Sequence, residues 1–168
     1  MSSDPEIRVR RAAPEDGARI VALEKQLADF ERLPPPDGEE ARRLLDWIFE
    51  SKELEALVAE IDGRVVGIAL FYAIYGTFRA RRFLYLEDLV VADDVRGRGV
   101  GTALMSALAR EALARGARRL DWSVLDWNEK AIRLYERLGA KRNREWLRYG
   151  LEEAEMKELA GGESVIGT

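Results

Sequence analysis

The pattern of apolar and polar residues in the first half of the chain has two distinct periods. Apolar residues recur about every three to four positions within residues 14–30 and 41–48, as in amphipathic helices. Two β-rich runs, residues 54–61 and 65–75, are joined by Asp62-Gly63, a pair typical of a tight hairpin turn. Residues 7–10 alternate apolar and basic and predict a first strand. This half therefore predicts a strand, two helices and a hairpin.

In the second half of the chain, predicted strands alternate with helices. β-rich runs at residues 83–91, 120–124 and 145–151 predict strands, and residues 101–115 and 128–138 have helical spacing. Gly116 and Gly139 are placed to end these helices. The element order predicts one mixed α/β or α+β domain, with a mostly antiparallel central sheet and helices on both faces. We expect this domain to span residues 5–160, with residues 161–168 as a flexible tail.

Composition narrows the chemistry that the chain can perform. Its 168 residues include no cysteine and no histidine, which excludes disulfides, thiol nucleophiles, Cys-based zinc sites and histidine-based triads. The net charge of −4 gives no overall basic field for nucleic acid. No run is apolar enough to cross a membrane, and the N-terminus lacks a secretory signal. We expect a cytoplasmic protein without a metal site.

A glycine-rich segment joins a predicted strand to a predicted helix. It reads Arg96-Gly97-Arg98-Gly99-Val100-Gly101-Thr102. A helix N-terminus after such a turn presents several backbone N–H groups and the positive end of the helix dipole, which suits a diphosphate. Glycines let the backbone approach phosphate oxygens, and the two arginines add charge-assisted hydrogen bonds. The segment therefore predicts an anion site that includes the Thr102 amide.

Other glycine motifs fit this segment less well. A nucleoside triphosphate loop needs Gly-Lys-Ser/Thr, whereas Gly101 is followed directly by Thr102. A dinucleotide fingerprint begun at Gly97 and Gly99 has Thr102 at its third position, although Asp121 lies at an acceptable distance downstream. Too few parallel strands follow for that fold. A glycine-rich loop without a ligand is the remaining structural alternative.

The residues around this turn resemble a known family. Arg96, Gly99 and Gly101 match the Arg/Gln-x-x-Gly-x-Gly/Ala motif of the GNAT superfamily of acetyltransferases. Segments 84–89, 125–128 and 134–140 are similar to signature segments of its diamine and polyamine acetyltransferase group. The resemblance runs from about residue 7 to residue 159, and it implies acetyl-CoA as co-substrate.

The resemblance implies roles for residues on the donor side. The strand at residues 83–91 and the strand at 120–124 would part, and the pantetheine arm would bond to the backbone of Leu89 and Val91. Tyr135 matches the tyrosine that protonates the departing thiolate, although helical periodicity alone makes it a core residue. Asn128 is either a helix N-cap or a hydrogen-bonding partner of the cofactor or substrate.

On the acceptor side the resemblance implies a primary amine that is protonated at neutral pH and must lose a proton before it attacks. Glu87 is the candidate proton acceptor, directly or through water, while Asp88 and Glu31 would attract the cation. Because Glu87 and Asp88 are neighbours in a predicted strand, we expect only one of them to face the substrate.

Two further positions bear on the acceptor. Thr77 stands where spermidine/spermine acetyltransferases carry an acid, and residues 75–78 are instead similar to those of thialysine acetyltransferases. Trp146 matches a position near the amine pocket of relatives. Polyamines, diamines and thialysine or lysine-like amines all stay open as acceptors.

The sequence thus predicts an N-acetyltransferase that acts by direct transfer in a ternary complex, because Ser123 has no histidine to activate it. Relatives are homodimers whose last strands meet, so we expect residues 146–151 to lie at a dimer contact. Two alternatives are a catalytically inactive acyl-CoA-binding sensor or interaction module and a dinucleotide-dependent oxidoreductase.

Overall fold

A five-stranded sheet forms the core of the first of two compact units, residues 1–134. The structure, a computed structural model, describes residues 6–161. The strands are β1 Arg8–Arg11, β2 Glu55–Ile61, β3 Arg64–Gly76, β4 Arg81–Val91 and β5 Leu120–Trp122, in the spatial order of their numbers. The helices are α1 Gly17–Glu31, α2 Gly38–Phe49, α3 Val100–Ala114, α4 Glu129–Arg137 and α5 Glu153–Gly161. Neighbouring strands are antiparallel except β4 and β5, which confirms the predicted mixed, mostly antiparallel sheet.

The β2–β3 hairpin follows directly from its turn residues. Asp62 and Gly63 both have left-handed backbones, with φ of 51° and 75°. A two-residue turn with positive φ at both positions matches the twist of the strands it joins. The predicted hairpin is therefore confirmed.

Alternate residues of β3 face helices on opposite sides of the sheet. A Cβ at Gly67 would lie 2.9 Å from Val100 Cγ1, so glycine is needed there for α3 to approach the strand. Leu70 and Tyr72, which have the other parity, lie beside residues of α2. The predicted helices on both faces are thus confirmed.

Polar side chains fix α1 to the sheet on the face opposite α3. Arg19 Nε donates to the carbonyl oxygen of Val65 at 2.9 Å, and Gln26 Nε2 donates to that of Val91 at 3.0 Å. Ile20 and Leu23 of α1 are fully buried. The helix therefore presents one stripe of residues to β3 and β4.

The second unit, residues 135–168, departs from the predicted element order. The predicted strand at residues 145–151 is wrong: residues 138–152 contain neither helix nor strand, and α5 follows them. β-propensity reflects packing against neighbouring strands, and no strand among residues 6–161 pairs with this segment. Helix α5 was missed, although Glu, Ala, Met, Lys and Leu favour helices and Glu153 pairs with Lys157 one turn later. The expected homodimer stays a prediction.

The remaining expectations about the chain ends and membranes have simple outcomes. Gly161 ends α5, and residues 162–168 of the predicted tail lie outside the described residues. Within residues 6–161, every helix is too short or too polar to span a bilayer.

Candidate active site

Strand β4 loses its partner β5 halfway along its length. The parallel pairing covers only Leu84 to Leu86, opposite Leu120 to Trp122. From residue 87 to residue 91, no strand in the described part of the chain pairs with the outer edge of β4. An unpaired strand edge offers backbone donors and acceptors to an extended ligand.

A β-bulge lies at the point where this pairing ends. Leu70 of β3 is opposite Asp88 while Phe71 is opposite Leu86, so Glu87 is an extra residue in β4. The bulge breaks the strict alternation of side chains. Glu87 and Asp88 consequently line the same cavity, although strict alternation would place them on opposite faces of the strand. Which of them faces the substrate stays a prediction.

The cavity has a volume of about 370 Å³ and has an apolar wall and an acidic wall. The acidic wall is Glu87 and Asp88 of β4, next to Tyr72, whose hydroxyl donates a hydrogen bond to Glu87 Oε2 at 3.1 Å. Glu53 also lines the space, on the connection between α2 and β2. The apolar wall consists of Leu44, Trp47, Leu54 and Leu70. A protonated amine carried on a hydrocarbon chain fits both walls.

Negative charge accumulates around this cavity. Burial, followed by repulsion from Glu87 and Glu31, raises the pKa of Asp88 to about 6. The same causes act more strongly on Glu24 of α1, where burial and repulsion from Asp88, Glu31 and Glu87 raise the pKa to about 8. Asp88 thus interacts electrostatically with two other predicted acceptor residues, Glu31 and Glu87.

Sequence reasoning missed Glu24. It lies four residues after Ile20 and seven before Glu31, on the stripe of α1 that faces the sheet. Its Oε1 atom is buried and has no hydrogen-bond partner among residues 6–161. A carboxylate in the buried stripe of an amphipathic helix was the available signal, because such positions are normally apolar.

The glycine-rich turn has the geometry of an anion cradle. Gly97 and Gly99 have φ of +79° and +86°, in the left-handed region that favours glycine. Gly99 is the N-cap of α3, and no side chain among residues 6–161 caps this helix end. A Cβ at Gly97 would meet no atom of the described chain within 4 Å, so the turn has open space beside it there. Gly101 instead packs inward, where a Cβ would lie 3.2 Å from Leu134 Cδ2.

The two arginine side chains of the turn are exposed, and that of Arg96 is held in place. Arg96 forms an ion pair with Asp93 at 2.8 Å, and its guanidinium lies 5.6 Å from the centroid of the Phe30 ring. That ring in turn contacts Trp127, with centroids 5.4 Å apart. Arg98 and Thr102 are exposed at the start of α3. The turn therefore carries two cations beside the N–H groups of a helix N-terminus.

The backbone positions predicted for the pantetheine arm lie on the unpaired part of β4. Leu89 and Val91 follow the bulge, and both are partly buried. The Val91 carbonyl already accepts the hydrogen bond from Gln26. Gln26 was not predicted, since a glutamine in a helix gives no sequence signal for such a contact.

The remaining residues predicted for the donor side are Asn128, directly before α4, and Tyr135 within it. Asn128 Oδ1 accepts a hydrogen bond from the Ala131 N–H at 3.2 Å, so this side chain caps α4. Tyr135 is partly buried, and burial raises its pKa to about 12. A tyrosine with such a pKa keeps its proton at neutral pH and is able to donate it.

Two predicted acceptor residues of the first unit, Glu31 and Thr77, do not line the cavity. Thr77 is exposed at the tip of the β3–β4 hairpin, five residues beyond Tyr72 and therefore roughly 16 Å along an extended strand. Trp146 lies in the irregular segment of the second unit, with 77% of its surface exposed. The roles of Glu31, Thr77 and Trp146 in amine binding stay predictions.

Comparisons with known proteins agree with this arrangement. Residues 20–140 match the model of the acetyltransferase (GNAT) family. The chain is 39% identical to the mouse thialysine N-epsilon-acetyltransferase, covering 92% of this chain and 97% of that protein. It is 36% identical to the pig thialysine N-epsilon-acetyltransferase, covering 92% and 98% of the two chains.

A solved structure extends the agreement to three dimensions. An aminoglycoside N-acetyltransferase in complex with CoA superposes with a TM-score of 0.75 at 19% identity, over 90% of this chain and 98% of that one. This likeness shows the fold. Because the match to the family model covers most of the chain, and relatives along nearly its whole length are named N-acetyltransferases, the inactive binding module and the oxidoreductase are not favoured. The chain belongs to the GNAT family of acetyltransferases and is an acetyltransferase enzyme.

Proposed function

We propose that this enzyme transfers the acetyl group of acetyl-CoA directly to a primary amine of a small cationic acceptor. The observation that carries the proposal is the cavity at the β4 bulge, where two carboxylates face an apolar wall beside the unpaired edge of the strand. Carboxylates attract a protonated amine, and the apolar wall accommodates the chain that carries it.

At the acceptor end, Glu87 takes the proton that the amine must lose before it attacks. The Tyr72 hydroxyl donates to one oxygen of Glu87 and so orients this carboxylate. Asp88 and Glu31 add negative charge and hold the cation. A base within hydrogen-bond reach of the amine contributes typically about 10²–10⁴-fold to the rate.

At the donor end, the turn from Arg96 to Thr102 suits the pyrophosphate of CoA. The fit rests on the left-handed glycines, the open space at Gly97 and the absence of a side-chain cap on α3. Acetyl-CoA supplies the acetyl group as a thioester. The backbone of Leu89 and Val91 holds the pantetheine arm, and Tyr135 protonates the sulfur as it leaves.

The class of acceptor follows from the cavity and from the relatives together. The relatives named above act on thialysine by their printed names, and the cavity supports a cationic amine on a hydrocarbon stem. Thr77, which replaces an acid of the spermidine/spermine enzymes, favours a thialysine or lysine-like amine or a diamine over a longer polyamine. Asn128 is committed to capping α4 in this structure, and a contact of its amide nitrogen with the cofactor stays part of the proposal.

The test is a turnover assay with purified enzyme and acetyl-CoA. Free CoA is measured with thialysine, lysine, 1,4-diaminobutane, spermidine and spermine at equal concentrations. We expect release with at least one of them, with kcat/KM larger for thialysine or the diamine than for spermine. Absence of release with all five would refute the proposal.

A further inference from the structure

Glu24 is a partly buried acid of α1 that the proposed mechanism does not use, and two acids of the cavity, Glu87 and Asp88, act on it. It projects from the stripe of α1 that packs on β3 and β4, and its Oε1 atom is sealed from solvent without a hydrogen-bond partner in the described chain. Leaving a buried polar atom unpaired costs roughly 1–3 kcal/mol. A buried oxygen without a hydrogen-bond partner at an enzyme site indicates an interaction that forms only during function.

The charged groups that act on Glu24 all have the same sign. They are Glu31 on the same helix and Glu87 and Asp88 on β4. Of the nearby cations, Arg19 donates to the Val65 carbonyl and Arg96 pairs with Asp93. Glu87 and Asp88 line the cavity, and Glu24 and Glu31 of α1 repel Asp88 or are repelled by it from outside the lining. In such a cluster, a proton on one member reduces the repulsion.

An incoming ammonium group changes this balance. A positive charge next to Asp88 and Glu87 offsets the repulsion that keeps a proton on their buried neighbour. We propose that Glu24 is a further acidic residue of the acceptor site, which holds a proton while the site is empty and releases it when a cationic acceptor binds. The proposal rests on the proposed function, since it requires a cationic amine at the cavity.

Proton release is measurable without turnover. With a pKa of about 8, roughly three quarters of the Glu24 side chains are protonated at pH 7.5, whereas Asp88, with a pKa of about 6, is mostly ionised. Titration calorimetry of 1,4-diaminobutane into enzyme with saturating CoA, in phosphate and in Tris buffer at pH 7.5, counts the protons released. The diamine itself stays charged at this pH, so the protons come from the protein.

We expect wild-type enzyme to release roughly 0.5–0.8 proton for each diamine bound. Glu24→Gln, which mimics the protonated acid, should release less than about 0.2 proton and should bind the diamine about 10-fold more weakly at pH 9. Asp29→Asn, an exposed carboxylate change on the same helix, serves as the matched control and should release as much as wild type. Binding without proton release in wild type, or equal release by Glu24→Gln, would overturn the proposal.

The measurements distinguish failure of the proposed function from failure of the role proposed for Glu24. If no amine binds and none is acetylated, both the proposed function and the role of Glu24 fall. If amines are acetylated at normal rates but binding releases no proton, only the role of Glu24 is refuted.

Thermal melting provides a second readout and verifies that the variant folds. Because the folded-state pKa of Glu24 is raised from 4.5 to about 8, the folded protein binds more protons than the unfolded chain between these values, and its stability falls as pH rises through them. The Glu24→Gln variant has no ionisable group at this position and therefore should not lose this stability as pH rises. Its melting temperature should match that of wild type near pH 4.5 and exceed it increasingly up to about pH 8. A difference in melting temperature between the variant and wild type that does not change with pH would contradict a raised pKa of Glu24.

Discussion

The donor end and the acceptor end of the candidate active site consist of different kinds of chemical group. The donor end uses backbone: left-handed glycines and the N-terminus of α3. The acceptor end uses side chains from separate elements, with Glu87 and Asp88 of β4 facing apolar residues of α2 and β3. A backbone cradle offers the same N–H groups whatever side chains surround it, whereas the chemistry of a side-chain pocket depends on each residue that lines it. The difference explains why the cofactor could be predicted more narrowly than the acceptor.

The largest expected effect lies at the acceptor end. Glu87→Gln should lower kcat/KM for the amine by about 1000-fold, because it removes the proposed proton acceptor and one negative charge. Asp88→Asn is the matched comparison on the same wall of the cavity, and it should mainly raise KM for the amine, by about 10-fold. Steady-state kinetics with the best amine of the panel measures both. If Asp88→Asn loses more kcat than Glu87→Gln, their roles are exchanged.

The next effect concerns Tyr135 of α4, the proposed proton donor. Tyr135→Phe should lower kcat by about 100-fold and leave the affinity for acetyl-CoA within about 2-fold of wild type, because the hydroxyl acts on the leaving sulfur. Tyr149→Phe, an exposed tyrosine in the same unit, is the control. Rapid-mixing turnover and equilibrium binding separate the two parameters. Unchanged turnover would remove Tyr135 from the mechanism.

The smallest effect lies at the donor end. Gly99→Ala places a Cβ on a backbone with φ of +86° and should raise KM for acetyl-CoA by about 10-fold, through strain of about 1–2 kcal/mol. Gly63→Ala introduces comparable strain at φ of +75° in the β2–β3 turn, with no atom within 4 Å of the new Cβ. It should destabilise the fold without changing this KM. Equal changes in KM would show that strain alone, and not the cradle, is responsible.

Much of the fold could be predicted because local patterns determine it. The Asp62-Gly63 turn, the helical stripes and the capping glycines each have a local physical cause, and their elements are confirmed to within a few residues. The strand expected at residues 145–151 failed because a strand depends on a partner that no local pattern specifies. Helix α5 was missed because the β-rich residues 145–151 directly before it favoured a strand at this end of the chain.

The features of the candidate site also divide into those that consecutive residues determine and those that depend on residues distant in sequence. The glycine turn could be predicted because positive φ and helix capping are properties of consecutive residues. The shared cavity of Glu87 and Asp88 depends on the register of β3 against β4, and an alternating pattern cannot show a bulge. Glu24 depends on the packing of α1 over that bulge, since its environment consists of residues distant in sequence.

The bulge has a consequence for how such enzymes diverge. Leu86 pairs with Phe71 and Asp88 with Leu70, so β3 and β4 would form an uninterrupted ladder if Glu87 were absent. The extra residue adds a carboxylate at the end of the cavity while the apolar residues on both sides of it keep their positions. Insertion or deletion of this one residue would therefore change the acid at the cavity and leave the pairing of β3 with β4 intact. An ancestral scaffold could acquire or lose the acid in this way without a change in its core.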